Sequence, residues 1–110
     1  MTMDEYQALA VRTCNKSLTK EQTINHALFE MCSELGEIHS FYQKQLQGHI
    51  INEDKMMLEV GDLLWGIAEF CEAMDWSLDD VAYKNIEKLR DRYPSGFDPQ
   101  RSLYRGGEGK

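Results

Sequence analysis

The chain has 110 residues, of which 42% are hydrophobic and 28% are charged, a composition typical of one globular domain. A formal net charge of −7 and a pI near 4.9 argue against a nucleic acid or an anionic membrane as the main partner. With no signal peptide and no apolar stretch of membrane length, the expected location is the cytoplasm.

Two helices are predicted in the first half of the chain. The first begins at Thr2, where Thr2 and Glu5 have capping-box spacing, and its apolar residues recur as far as Cys14. The second spans residues 21–47, behind a second capping box at Thr19. Its apolar residues alternate by four and three and form one seam: Ile24, Leu28, Met31, Leu35, Ile38 and Tyr42.

The second half predicts two more helices and a tail. The third helix, residues 53–75, is apolar around most of its circumference, which indicates a central position in its bundle. The fourth spans residues 78–91, is stopped by Pro94, and is expected to turn its apolar residues to the core. Residues 1–105 thus predict one all-α, four-helix-bundle-like domain, with 106–110 as a disordered tail. A chain of this length buries only a thin core, which favours association into an oligomer.

The cysteines and histidines carry no motif. Cys14, Cys32 and Cys71 lack metal-ligand spacing and are expected to be reduced, semi-buried packing residues. A di-iron site needs Glu-x-x-His on two helices, and the three histidines are scattered, so they are interpreted as surface or core-edge residues. Trp65 is interpreted as a core residue in preference to a base-stacking one.

Four carboxylates on consecutive helices point to a metal ion. Glu34 and Glu37, and then Glu59 and Asp62, are three residues apart, so each pair leaves one side of its helix; Glu69 shares the strip of the second pair. If the helices are antiparallel, all four carboxylates converge. At about 4 Å and an effective dielectric of about 20, like charges repel by roughly 4 kcal/mol, so a cation or a proton is needed. Oxygen ligands favour Mg²⁺ first and Mn²⁺ second.

The acidic pairs and the segments after them resemble a known family. Twenty-one residues separate Glu37 from Glu59, as in the MazG-like nucleotide pyrophosphohydrolases of the all-α NTP pyrophosphatase superfamily. The resemblance covers nearly all of the chain after residue 24. It extends over His26-Ala27-Leu28, Gly61-Asp62-Leu63-Leu64-Trp65, Ser77 to Ala82, Asn85 to Leu89, Arg92 to Phe97 and Ser102-x-x-Arg105.

One position departs from the pattern of the family. Many members carry a second glutamate directly before the first motif glutamate, where this chain has Ser33. The identity of the carboxylate that activates water is therefore left open. Glu30, one turn before Glu34 on the same stripe, is a candidate to replace the missing glutamate.

The resemblance implies a function and a set of site residues. The implied reaction is Mg²⁺-dependent hydrolysis of (d)NTP to (d)NMP and pyrophosphate in nucleotide-pool housecleaning, by a dimer or tetramer with sites near subunit interfaces. Two alternatives stay open: a dUTPase-like or phosphoribosyl-ATP pyrophosphohydrolase, and a non-catalytic helical interaction module. The implied catalytic and metal residues are Glu34, Glu37, Glu59 and Asp62, and the implied phosphate-binding residues are Asn85, Lys88 and Arg92.

Overall fold

The computed structural model describes residues 1–104 and contains five α-helices. These are α1 (Met3–Ala10), α2 (Lys20–Leu46), α3 (Glu53–Ala73), α4 (Leu78–Arg92) and α5 (Pro99–Leu103), with a 3₁₀ turn at Val11–Thr13. No strand occurs among the described residues, which confirms the predicted all-α class. None of these helices is both long and apolar enough to cross a membrane. Arg105 and the expected tail at 106–110 lie outside the described residues.

The first two helices begin at the predicted capping boxes. The Thr2 hydroxyl accepts the backbone N–H of Glu5 at 3.0 Å, and the Glu5 carboxylate accepts the backbone N–H of Thr2 at 3.0 Å. Thr19 and Gln22 make the same reciprocal pair at 3.1 and 3.0 Å. Each box satisfies backbone donors that have no partner within the helix, so the two starting points are fixed by local chemistry.

Two segments differ from the sequence-based expectation. Helix α1 ends at Ala10 instead of continuing to Cys14, because the chain tightens into the 3₁₀ turn, where the Thr13 hydroxyl donates to the Ala10 carbonyl at 2.7 Å. The segment after Pro94, in which no helix was predicted, contains helix α5. Its N-cap is Asp98, whose side chain accepts the backbone N–H of Gln100 at 2.9 Å.

The chain divides into two compact units, residues 1–78 and 79 onward. In the first unit α3 packs against α1, the 3₁₀ turn and α2, and its contact with α2 is the most extensive. The central position predicted for the third helix is therefore confirmed within this unit. The buried apolar residues are mostly small: Ala10, Val11, Ala27, Ala68, Cys71 and Leu78.

Helices α2 and α3 approach closely and run antiparallel. Ala27 and Ala68 are completely buried, and a Cβ at Gly66 would lie 2.8 Å from Cγ of Met31. Ala27 on α2 is near Gly66 on α3, and Glu34, further along α2, is near Glu59, which comes earlier on α3. The antiparallel arrangement assumed from the sequence is the one that forms.

The apolar seam of α2 is only half covered. Its members at 24, 31 and 38 are partly buried, whereas Leu28, Leu35 and Tyr42 are 43–49% exposed. On α3, Met57 and Leu58 are about 70% exposed. The first unit thus presents apolar side chains that its own helices leave uncovered.

The cysteines are free, as expected, but they differ in burial. Cys71 is buried in the core, Cys14 is partly buried and Cys32 is exposed. Burial raises the pKa of the Cys71 thiol. The expectation of a semi-buried position is therefore met by Cys14 and is wrong for Cys32, which is exposed, and for Cys71, which is fully buried.

The second unit contains the rest of α4 and helix α5. The Arg101 guanidinium donates to the carbonyl oxygens of Asp91, at 2.9 Å, and of Arg92, so it joins α5 to the C-terminal end of α4. The rings of Tyr93 and Phe97 lie 5.5 Å apart across the intervening turn. Of the four α4 residues expected to face the core, Ala82 is partly buried, whereas the other three are 37–45% exposed: Val81, Ile86 and Leu89.

Candidate metal centre

Three carboxylates from α2 and α3 converge in the first unit and form what is called here the acidic cluster. Glu34 on α2 and Glu59 and Asp62 on α3 each offer an oxygen, and these oxygens lie within 4.8 Å of one another. Glu34 and Glu59 are partly buried and Asp62 is exposed. The three-residue spacing on α3 and the antiparallel partner α2 together produce this convergence.

The structure does not bring the fourth predicted carboxylate into the acidic cluster. Glu37 lies one helical turn beyond Glu34 on α2 and is exposed. Its carboxylate oxygens are not among the three that lie within 4.8 Å of one another. Three of the four predicted ligands are therefore adjacent, and Glu37 flanks them.

The acidic cluster strongly perturbs Glu34. A hydrogen bond with Glu59 is the main cause that raises the pKa of Glu34 to about 8; burial and a hydrogen bond with Glu30 add to it, as do the charges of Glu59 and Asp62. Oε2 of Glu34 is buried and has no hydrogen-bond partner in residues 1–104. The fold leaves this oxygen for a proton or a cation to satisfy.

The donor set fits a hard divalent cation. All three ligand groups are carboxylates, and oxygen-only sites suit Mg²⁺, Mn²⁺ or Ca²⁺ better than the softer metals that prefer imidazole or thiolate. A cation bound there would satisfy Oε2 of Glu34 and offset the mutual repulsion of the three carboxylates. The residues present therefore fit the metal that the sequence predicts.

A cavity of about 410 Å³ adjoins the acidic cluster. Its volume lies in the range of roughly 300–1,000 Å³ that is usual for small-molecule sites. Asp62 belongs both to its wall and to the acidic cluster, so a molecule bound in the cavity would reach the cluster. The cavity is lined by Thr13, His26, Glu30, Asp62 and Trp65.

Trp65 forms one wall of this cavity and is not simply a core residue. Its indole N–H donates to the Thr13 hydroxyl at 2.8 Å and to the Ala10 carbonyl at 3.2 Å. These hydrogen bonds fix the ring against the 3₁₀ turn that follows α1. The partly buried indole thus provides a rigid aromatic surface beside the acidic cluster.

The sequence-based reasoning missed the hydrogen-bonded pair of His26 and Glu69, called here the histidine pair, of which His26 lines the cavity. Nδ1 of His26 lies 2.8 Å from Oε1 and 3.1 Å from Oε2 of Glu69. Glu69 is 1% exposed, whereas the His26 side chain is 48% exposed. The two residues are 43 positions apart, so no local spacing could have signalled the pair; Glu69 appeared only as a member of an acidic strip.

The predicted phosphate-binding residues lie in the second unit. Spacings of three and four place Asn85, Lys88 and Arg92 on one face of α4. Asn85 and Lys88 are exposed and Arg92 is partly buried. Their assignment to phosphate binding stays a prediction.

Comparison with known proteins agrees with the helical fold and the acidic cluster. Residues 19–97 match the family model of the MazG nucleotide pyrophosphohydrolase domain, so this chain belongs to that family. It is also similar to the Gene 37 protein of Mycobacterium phage L5, with 30% identity over 78 residues that cover 66% of this chain and 68% of the phage protein. No solved structure gives a significant match. The matched region includes all three residues of the acidic cluster.

Proposed function

We propose that this protein is a Mg²⁺-dependent nucleoside triphosphate pyrophosphohydrolase that converts (d)NTP and water to (d)NMP and pyrophosphate. The observation that carries the proposal is the acidic cluster, in which Oε2 of Glu34 is buried without a partner in the described chain. Membership of a family of nucleotide pyrophosphohydrolases supplies the reaction class. A housecleaning role in the nucleotide pool follows from the same membership.

In this proposal Glu34, Glu59 and Asp62 would hold Mg²⁺, or Mn²⁺ in its place, and Glu37, one turn further along α2, would be a fourth ligand. The chemistry that such an ion supplies is Lewis-acid catalysis, which neutralises charge on phosphate oxygens and activates water. The protein contributes fixed carboxylates on two rigid helices. Because these carboxylates are already in place, little reorganisation would be needed when they bind the ion.

A carboxylate must also accept a proton from the attacking water. The water oxygen bonds to the α-phosphorus, the bond between that phosphorus and the α,β-bridging oxygen breaks, and pyrophosphate leaves with the electron pair. We assign the proton to Glu30, which interacts with Glu34 and lines the cavity. It lies one turn from Glu34, and Ser33 cannot serve as a base.

The phosphate chain carries negative charge that the acidic cluster would repel without compensation. We assign Asn85, Lys88 and Arg92 to bind it, because they combine cations and an amide on one face of α4. Exposed apolar residues on α2 and α3 support a homo-oligomer, dimer or tetramer, as the working unit. Sedimentation of an active monomer would contradict the oligomer.

The test is product analysis by anion-exchange chromatography over a panel of NTPs and dNTPs, with and without Mg²⁺. The expected result is monophosphate and pyrophosphate in equal amounts, only when the cation is present. Release of orthophosphate and a nucleoside diphosphate would contradict attack at the α-phosphorus. Absence of turnover across the panel, together with a large effect of Mg²⁺ on thermal stability, would favour a non-catalytic helical interaction module.

A further inference from the structure

The histidine pair has a geometry that the metal chemistry does not use. A carboxylate can only accept hydrogen bonds, so Nδ1 of His26, 2.8 Å from Oε1 of Glu69, carries the proton of the neutral ring. The other ring nitrogen, Nε2, is then an acceptor, and it makes no hydrogen bond within residues 1–104. An oriented acceptor is thus left available in the wall of the cavity.

The surroundings hold the imidazole in one orientation. Glu69 is 1% exposed and belongs to the packed central helix α3, so its carboxylate is fixed. The His26 ring also meets the Trp65 indole edge-on, with centroids 6.2 Å apart at an interplanar angle of 82°. One hydrogen-bonded edge and one aromatic contact restrict both the tautomer and the rotation of the ring.

The position along α2 indicates which part of a nucleotide His26 would contact. His26 precedes Glu34 by eight residues, about 12 Å along the helix at roughly 1.5 Å per residue. If the phosphate chain is bound at the acidic cluster, the nucleoside must extend away from it. The cavity that continues from Asp62 to Trp65 and His26 provides space in that direction.

We propose that Nε2 of His26 accepts a hydrogen bond from a donor group on the nucleoside, and that Glu69 is the positioning residue that fixes the ring for this contact. The inference rests on the proposed function, because it places the phosphate chain at the acidic cluster. The donor is an exocyclic amine of the base or the 2′-hydroxyl of the sugar. Recognition of this kind discriminates well, since a substrate without the donor leaves a polar atom unpaired.

The first test compares His26→Asn with the wild type. The asparagine amide can still donate to Glu69, but it has no atom at the position of Nε2. We expect KM to rise about tenfold for the nucleotide that supplies the donor, the loss of roughly one good hydrogen bond, with kcat nearly unchanged. His39→Asn is the matched control, because His39 is exposed on the same helix outside the cavity.

Two nucleotide pairs distinguish the possible donors. ATP has an exocyclic amine on its base where ITP has a carbonyl. ATP also has a 2′-hydroxyl on its sugar, which dATP lacks. His26→Asn is expected to bring one of these two selectivity ratios close to one and to leave the other unchanged. Glu69→Ala should reduce the same ratio less, because the ring stays present but loses its fixed tautomer.

Other results would overturn the inference. An unchanged KM in His26→Asn, or an equal loss on every nucleotide, would show that Nε2 does not contact the nucleoside. A collapse of kcat on all substrates would assign His26 to the reaction step instead. Circular dichroism melts of each variant verify that the fold is retained.

Calorimetric binding of α,β-methylene nucleotides with Mg²⁺ separates this inference from the proposed hydrolysis. Selective weakening in His26→Asn without turnover by the wild type would support the nucleoside contact and reject the reaction. Turnover by the wild type with no selective effect of the substitution would support the reaction and reject the nucleoside contact. A wild type that neither binds nor hydrolyses any nucleotide would reject both.

Discussion

The α2–α3 interface places carboxylates at two sites and satisfies them differently. In the histidine pair, Glu69 is almost completely buried and has its partner His26 at 2.8 Å. In the acidic cluster, three carboxylates lie within 4.8 Å of one another, and one of them, Glu34, has a buried oxygen without a partner in the described chain. The same two helices therefore build one site whose buried carboxylate has a partner and one in which a buried carboxylate oxygen has none in the described chain.

This difference separates a carboxylate that the fold itself satisfies from carboxylates that need a ligand. A buried carboxylate is tolerated when a fixed donor accompanies it, which is the arrangement at Glu69. In the acidic cluster, the hydrogen bond with Glu59, burial and the neighbouring negative charges raise the pKa of Glu34. Groups perturbed in this way are frequent at functional sites. The acidic cluster is thus the part of the interface whose missing partner is expected to come from outside.

The largest effect is expected from a substitution that breaks the acidic cluster. Glu59→Gln removes a charged metal ligand, which should cost several kcal/mol of transition-state stabilisation and at least about 100-fold in kcat/KM. Glu53→Gln, an exposed position at the start of α3, is the control. Rates of pyrophosphate release measure both variants. Full activity in Glu59→Gln would remove the cluster from the mechanism.

The same substitution at the two sites should change stability in different directions. Glu69→Gln replaces the charged acceptor of a buried pair and should lower the free energy of unfolding by about 1–3 kcal/mol. Glu59→Gln, measured without divalent cations at a pH above about 8, where Glu34 is ionised, should leave it unchanged or raise it, because like-charge repulsion is relieved. Urea denaturation measures both. Equal losses would mean that the two sites do not differ as described.

Local patterns in the sequence anticipated the helices and the acidic cluster. The capping boxes at Thr2 and Thr19 define helix starts within a few residues, and both are present. The three-residue spacing places Glu59 and Asp62 on one side of α3, and the antiparallel helix α2 adds Glu34 to form the cluster. Glu37 shows the limit of that reasoning, since equal spacing on α2 left it exposed and apart.

Features that depend on long-range packing could not be anticipated. The histidine pair joins positions 43 residues apart, and nothing near Glu69 distinguishes it from a solvent-exposed glutamate. The half-covered seam of α2 is of the same kind, because periodicity identifies an apolar stripe and not the number of helices available to cover it. Helix α5 depends on a cap and an N-terminal proline in a segment otherwise rich in turn residues.

Helices α2 and α3 approach closely at Gly66, and this packing can be tested by substitution. In Gly66→Ala the new Cβ would lie 2.8 Å from Cγ of Met31, so overpacking should cost about 1–3 kcal/mol, partly offset by a gain in helix propensity of roughly 0.5–1 kcal/mol. Gly61→Ala is the control, since a Cβ there meets nothing within 4 Å. Thermal melts should separate the variants. Equal stability of both would contradict the tight packing of α2 against α3.

A pH dependence of stability is expected to arise at the acidic cluster. Without divalent cations, folding raises the pKa of Glu34 from 4.5 to about 8, mainly through its hydrogen bond with Glu59. The folded state then retains a proton that the unfolded state releases, so this stabilisation is fully present below pH 4.5 and is lost as the pH rises through about 8.

Mg²⁺ should reverse that trend, because the cation competes with the proton at Glu34 and binds more tightly as the pH rises. Melting temperatures over a pH series that brackets 4.5 and 8, with and without Mg²⁺, measure both effects as shifts of a few degrees. Glu34→Gln is the control and should flatten both curves, since its amide does not titrate. Identical pH profiles for the wild type and Glu34→Gln would show that Glu34 keeps no proton for the cation to displace, and the acidic cluster would then be a solvated surface like any other.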